Sequence, residues 1–130
     1  MKIAVVGAHL SGQPLNRELT ERGGTLVRAA RTAAAYRLYA LANTVPAKPG
    51  LLRVNAGETG GQIAVEVWEL GAAEFGTFVG AVPGPLCIGT VELEDGEKVK
   101  GFLVEPYGLQ GATEVTHLGG WRNYLQSLHK

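Results

Sequence analysis

The sequence has one cysteine, no excess of either charge, and no apolar run near the length of a membrane span. A single thiol, Cys87, excludes a disulfide framework, and no group of Cys and His stands at zinc-ligand spacing, so neither a metal nor a cofactor is expected. Twelve basic residues balance twelve acidic ones, for a formal net charge of zero. Nucleic acid and anionic membrane surfaces are therefore not expected partners, since both are held through a basic excess that displaces counterions. No stretch approaches the roughly 20 apolar residues of a spanning helix. The start, Met1-Lys2-Ile3-Ala4-Val5-Val6, lacks the length and cleavage pattern of a signal peptide. A cytoplasmic chain is expected.

What is present is 130 residues, 45% of them apolar, with 19 glycines and 6 prolines. That is the common size of a single domain, large enough to bury most of its apolar surface without disulfides. Repeats, low-complexity segments and linkers are missing, so one domain over 1–130 is expected. Ile3 to Val6 is a β-branched run ending at Gly7 and reads as a buried strand. Pro14, Leu15, Leu19 and Arg22 suggest a short helix ended by Gly23-Gly24. Two strand-like stretches follow from Thr25, separated near Thr32 to Ala35, with Tyr36, Leu38 and Tyr39 in the second. Asn43 to Gly50, rich in Pro and Gly, reads as a loop. Strands are expected at Leu51–Val54 and Gln62–Leu70, and a helix over Gly71–Val82, where Ala72, Phe75, Phe78 and Val79 share a face. Leu86–Leu93 and Val99–Val104 flank Asp95-Gly96, a strong hairpin signal. Trp121, Tyr124, Leu125 and Leu128 suggest a closing amphipathic helix. Strands outnumber helices without regular alternation, which is an α+β pattern with a curved sheet or small barrel.

The loop after the first strand, Gly7-Ala8-His9-Leu10-Ser11-Gly12, admits three readings. Gly7 and Gly12 match the first and third glycines of a dinucleotide fingerprint. His9, however, stands where the backbone must approach a pyrophosphate, and the acidic residue expected about 20 positions on is missing. A second reading makes the loop a seat for a carboxylate or phosphate, with unpaired N–H groups at a helix start and His9 as a proton donor beside the bound anion. The third is a capping loop in which Ser11 or Gly12 caps the helix and His9 bonds a carbonyl. Among other polar residues, Arg28, Arg31 and Arg37 lie in strand-like stretches, and Lys100 follows the hairpin. Glu66 alternates with Val65 and Val67 and so is expected to face water. Glu105 closes a strand before Pro106, where a functional side chain or a hydrated one fits equally well. Cys87 reads as an inert thiol in an apolar strand. No Ser/His/Asp or Cys/His set can be read.

Several co-linear motifs together resemble the C-terminal domain of allophanate hydrolase. They are Val6-Gly7-Ala8-His9-Leu10-Ser11-Gly12-Gln13-Pro14-Leu15-Asn16, Tyr36-Arg37-Leu38-Tyr39, Lys48-Pro49-Gly50-Leu51, Glu66-Val67-Trp68-Glu69-Leu70, and Ile88-Gly89-Thr90-Val91 through Val99-Lys100-Gly101-Phe102. The resemblance runs to Gly119-Gly120-Trp121. It implies a γ-glutamylcyclotransferase-like small β-barrel of mixed strands with flanking helices and a pocket beside the loop after the first strand. In the cyclotransferases a glutamate moves the proton. Its place here falls at about Val79, so cyclotransferase activity is not expected.

What the resemblance implies instead is help with the decarboxylation of N-carboxycarbamate, the product an amidase leaves from allophanate, in urea breakdown. The essential loop histidine carries over to His9. The residues around the substrate would be Gly7, Ala8, Leu10, Ser11 and Gly12, with Tyr36, Arg37 or Lys100 on a second carboxylate. The Ser and Lys set of an amidase is missing, so the substrate, a small carboxylate metabolite, would come from a separate amidase chain. The other reading is a non-catalytic interaction or anion-binding module for an amidase or carboxylase partner. A homodimer is left open.

Overall fold

Ile3, Ala4 and Val5 put apolar side chains on both faces of β1 (Lys2–Val5), and the strand is buried on both. In the computed structural model, which describes residues 1–129, β1 lies at the centre of a five-stranded sheet. Its neighbours are β5 (Ala64–Glu69), antiparallel, and β7 (Lys98–Val104), parallel. Beyond them lie β2 (Thr25–Arg31) and β6 (Leu86–Glu92). The β6–β7 hairpin turns where Asp95-Gly96 predicts it, with Gly96 at φ +91°. A second sheet has β3 (Tyr36–Ala40) between β4 (Pro49–Arg53) and the two-residue β8 (Thr113–Glu114). Three α-helices among the described residues complete the fold, α1 (Arg17–Thr20), α2 (Ala72–Gly80) and α3 (Trp121–Ser127), with two short 3-10 helices at Pro106–Leu109 and Thr116–Leu118. Among the described residues, no helix is long and apolar enough to cross a membrane.

The expected α+β mixture is found, but its eight strands divide between two sheets and do not close into a barrel. The five-stranded sheet curls until its edges meet at one corner. There Thr32, just past β2, bridges Leu93, just past β6. One connected apolar cluster fills the interior, with Ile3, Val5, Leu38, Val67, Phe78 and Phe102 all buried. The sheets touch where Gly50 of β4 lies against Val104 of β7, too close for any side chain at position 50. β1 thus delivers its following loop, residues 7–12, at the end of a central and immobilised strand.

Candidate active site

Gly7 leaves β1 beneath the ring of Pro49, and even a methyl group at position 7 would overlap the Pro49 ring carbons. This close approach brings Lys48 to the start of the loop. The chain then turns through Ala8 and His9. The His9 carbonyl accepts from Asn16 Nδ2 at 2.9 Å. Its imidazole stacks on Phe102 of β7, with centroids 5.0 Å apart and planes 16° apart, and meets the edge of Phe78 of α2, also at 5.0 Å. Three elements therefore fix one ring. Nε2 lies 2.7 Å from Glu18 Oε1 on α1. An ionised carboxylate only accepts hydrogen bonds, so Nε2 carries the hydrogen and Nδ1 is the free nitrogen. Nδ1 has no partner among the described residues, and no buried side-chain N or O among them lacks one; Nδ1 is therefore reached by solvent through the cleft.

Burial drives the His9 pKa below its ordinary value of 6.5. Glu18 opposes that shift, while the positive charges of Lys48 and Arg22 add to it. His9 is accordingly neutral at pH 7 in the unliganded protein, with a carboxylate ready to balance any proton it gains. Arg22 belongs to the same construction. It lies over the Phe78 ring at 5.7 Å, donates to Thr77 Oγ1 at 3.0 Å, and donates to the Glu18 carbonyl at 2.9 Å.

The cleft in front of His9 has a volume of about 250 Å³ and is walled by Leu15, Phe78, Val82, Leu86 and Phe102. Its polar side chains are His9, Glu18 and Lys48. A narrower recess continues past Gly7, Ala8 and Pro49. Lys48 borders both spaces, and its ammonium group forms no ion pair among the described residues. The backbone N–H groups of Ala8 and His9 likewise donate to no acceptor among the described residues. An unpaired cation and a solvent-facing imidazole nitrogen in one small cleft, with the unpaired amides of Ala8 and His9 beside them, suit a small anion that must exchange a proton.

The residues singled out from sequence divide by location. Gly7, Ala8 and His9 border the cleft. Leu10 points into the core, at 2% exposure. The Ser11 N–H donates to Glu66 Oε1 at 2.8 Å and its hydroxyl to Glu66 Oε2, while Gly12, at φ +81°, turns the chain away. The anion seat expected at Ser11 thus exists, but the protein's own carboxylate occupies it. Glu66 is 5% exposed, which corrects the solvent-facing position expected from alternation. Its strand is covered on both faces, so the period-2 rule had no solvated face to assign.

Tyr36 is fully buried in the second sheet, its hydroxyl accepting from the Glu92 N–H at 3.0 Å. Arg37 donates to the Thr59 carbonyl at 3.0 Å, Lys100 points outward to Thr90 Oγ1 at 3.2 Å, and Glu105 is exposed. None of these four lines the cleft. Two residues that do, Glu18 and Lys48, carry no sequence signal for that role. Glu18 reads as an ordinary first-turn acid of a short helix, and Lys48 becomes legible only through the contact of Pro49 with Gly7. α2 ends in Val79 and Gly80, and the one carboxylate among the described residues that line the cleft is Glu18, on α1.

The family model of the allophanate hydrolase C-terminal domain matches residues 1–126. The urea amidolyase of Lachancea kluyveri is 46% identical over 98% of this chain, and the match covers 7% of that protein, so the chain spans a small part of such curated relatives. The structure superposes on Kluyveromyces lactis allophanate hydrolase with a TM-score of 0.93 at 46% identity, over 98% of this chain and 21% of that one. It also superposes on a uropathogenic E. coli-specific protein with a TM-score of 0.87 at 38% identity, over 96% of this chain and 94% of that one. The chain belongs to the allophanate hydrolase C-terminal domain family.

Proposed function

We propose that this chain binds a small dicarboxylate in the His9 cleft and assists the decarboxylation of N-carboxycarbamate to carbamate, in trans to an amidase. The observation that carries the reading is the grouping of a Glu18-backed imidazole with the unpaired Lys48 in one small cleft. Urea amidolyase and allophanate hydrolase, the names of the relatives, support a substrate from urea and allophanate breakdown. The E. coli protein, covered over 94% of its length, supports a chain of this domain working apart from an amidase polypeptide.

The chemistry follows from the charges. A dianion beside His9 raises its affinity for a proton, so Nδ1 takes one from solvent while Glu18 balances the imidazolium at Nε2. Lys48 and the amides of Ala8 and His9 hold the retained carboxylate. The bond from nitrogen to the departing carboxylate breaks, its electron pair stays on nitrogen, and the Nδ1 proton is delivered there as carbon dioxide leaves. A positioned general acid is worth on the order of 10² to 10⁴ in rate.

The test supplies allophanate and an amidase-only allophanate hydrolase, then follows carbon dioxide release with and without this protein. Wild type is expected to accelerate release and His9→Ala to abolish the acceleration. Lys48→Met should weaken the apparent affinity about 10- to 100-fold, the value of a lost charge-assisted contact. Equal release with wild type and folded His9→Ala would leave only the interaction-module reading.

A further inference from the structure

Behind the loop, an ion pair between the buried Glu66 and the half-exposed Arg122 has no part in the chemistry proposed above. Glu66 of β5 accepts from the Ser11 N–H at 2.8 Å, from the Ser11 hydroxyl, from Trp68 Nε1 at 3.1 Å and from Arg122 Nη2 at 3.0 Å. The same Arg122 nitrogen reaches the Ser11 carbonyl at 2.7 Å and the Ser11 hydroxyl at 3.3 Å. Every polar group of Ser11 is thus bonded to Glu66 or Arg122. Arg122 stands near the start of α3, 111 positions from Ser11, and does not line the cleft.

Stability alone does not call for this arrangement. A buried ion pair is usually no better than well-packed apolar side chains of the same volume, because desolvation offsets the attraction. What such a pair does supply is one direction for the backbone it holds. Ser11 is two residues from His9, and the intervening Leu10 is buried. The φ and ψ angles fixed at Ser11 therefore limit where the His9 ring can lie. That ring has little latitude, since it must sit on Phe102, against Phe78 and 2.7 Å from Glu18 at once.

We infer that Arg122, acting through Glu66 and Ser11, is a positioning residue that holds His9 in its aromatic slot from the opposite side of the loop. The inference rests on the reading of His9 as the proton donor for its catalytic readout, but its structural readout is independent of any substrate. The charged groups that face His9 are Glu18, Lys48 and Arg22. Removal of Arg122 changes none of them directly but bares the Glu66 carboxylate, whose charge also favours the imidazolium, so the ring-current shift from Phe102 is the readout that reports where the ring lies.

The experiment is a pH titration of the His9 ring by NMR in wild type, Arg122→Ala and Arg122→Lys, with circular dichroism as the check on folding. Arg122 is 48% exposed, and Glu66 keeps its bonds from Ser11 and Trp68 in its absence, so the fold is expected to survive the truncation. In Arg122→Ala the His9 midpoint is expected to rise toward 6.5 as the ring loosens from its buried slot, and the Phe102 ring-current shift of its protons to shrink. Arg122→Lys, which keeps a cation on Glu66, should restore part of both. In the coupled decarboxylation assay, Arg122→Ala should lower kcat roughly tenfold or more with KM within twofold, as expected for a misplaced acid. A folded Arg122→Ala with His9 titration and ring-current shifts equal to wild type overturns the inference. A reduced ring-current shift in Arg122→Ala, with carbon dioxide release insensitive to His9→Ala, would overturn the proposed function and leave the positioning role standing.

Discussion

At the scale of single residues, the His9 imidazole is tuned by three opposing influences that substitutions can separate. Burial is the largest and lowers its pKa, Glu18 raises it, and Lys48 and Arg22 lower it again. Glu18→Gln removes the only contribution that favours the imidazolium, so the His9 midpoint is expected to fall further below 6.5. Lys48→Met removes a repelling cation, and the midpoint is expected to rise. NMR titration of the His9 ring in the two variants therefore has opposite expected signs. Shifts in the same direction would break the electrostatic account of the site. Gly7 sets the geometry that both depend on, since its bare backbone lies under the Pro49 ring next to Lys48. Gly7→Ala must push Pro49 away and is expected to cost about 1 to 3 kcal/mol, the usual penalty of overpacking. Urea denaturation measures that loss directly.

At the scale of elements, the loop is held between α1 in front and β5 with α3 behind, and the two holds respond to acid in different ranges. His9 binds protons less readily folded than unfolded, so its share of stability is complete above about 6.5 and is lost as pH falls toward its lower folded value. Burial would push the Glu66 carboxyl up, but the Ser11 hydroxyl and amide, Trp68 and Arg122 outweigh it and hold its pKa below the ordinary 4.5. Its share is complete above about 4.5 and is lost as pH falls further. Urea unfolding at a series of pH values should show stability declining in two ranges, with Glu66→Gln shrinking the lower one, which Asp95 and Glu97 share, and leaving the upper one in place. The same elements show what a sequence can and cannot reveal. The hairpin at Asp95-Gly96, the apolar β1 and the closing helix at Trp121 were legible because turn chemistry and periodicity are local. β8, two residues long, has no period to read. Glu66 was misread because both faces of β5 are covered. Lys48 and Glu18 reach the cleft through tertiary contacts, and Tyr36 and Arg37 miss it because they pair with Arg53 and Leu52, at the end of the β3–β4 pair away from Pro49.

At the scale of the whole molecule, the architecture depends on the corner where the five-stranded sheet meets itself and the chain crosses to the second sheet. Thr32 is fully buried there. Its N–H donates to the Ile63 carbonyl at 2.9 Å, and its hydroxyl accepts from the Ile63 N–H at 3.0 Å while donating to the Ala33 carbonyl at 2.8 Å. Ala33 N–H in turn donates to the Glu92 carbonyl, and Glu94 N–H to the Arg31 carbonyl, both at 2.9 Å. The hydroxyl therefore ties the end of β2 to the segment leading into β5, and backbone bonds join the same stretch to the edge beyond β6. Thr32→Val keeps the shape and the backbone bonds but leaves the Ile63 N–H facing a methyl group. A buried donor without a partner costs about 1 to 3 kcal/mol. Thr32→Ser keeps the hydroxyl and loses only a methyl group, so it should be the milder change. Equal losses from the two substitutions would mean that packing, not the hydroxyl, holds the corner. No residue of the corner lines the His9 cleft, so the two sites should add in a double variant of Thr32→Val with Lys48→Met to within about 0.5 kcal/mol. A larger coupling in urea denaturation would mean that curling of the sheet and the shape of the cleft are one cooperative event.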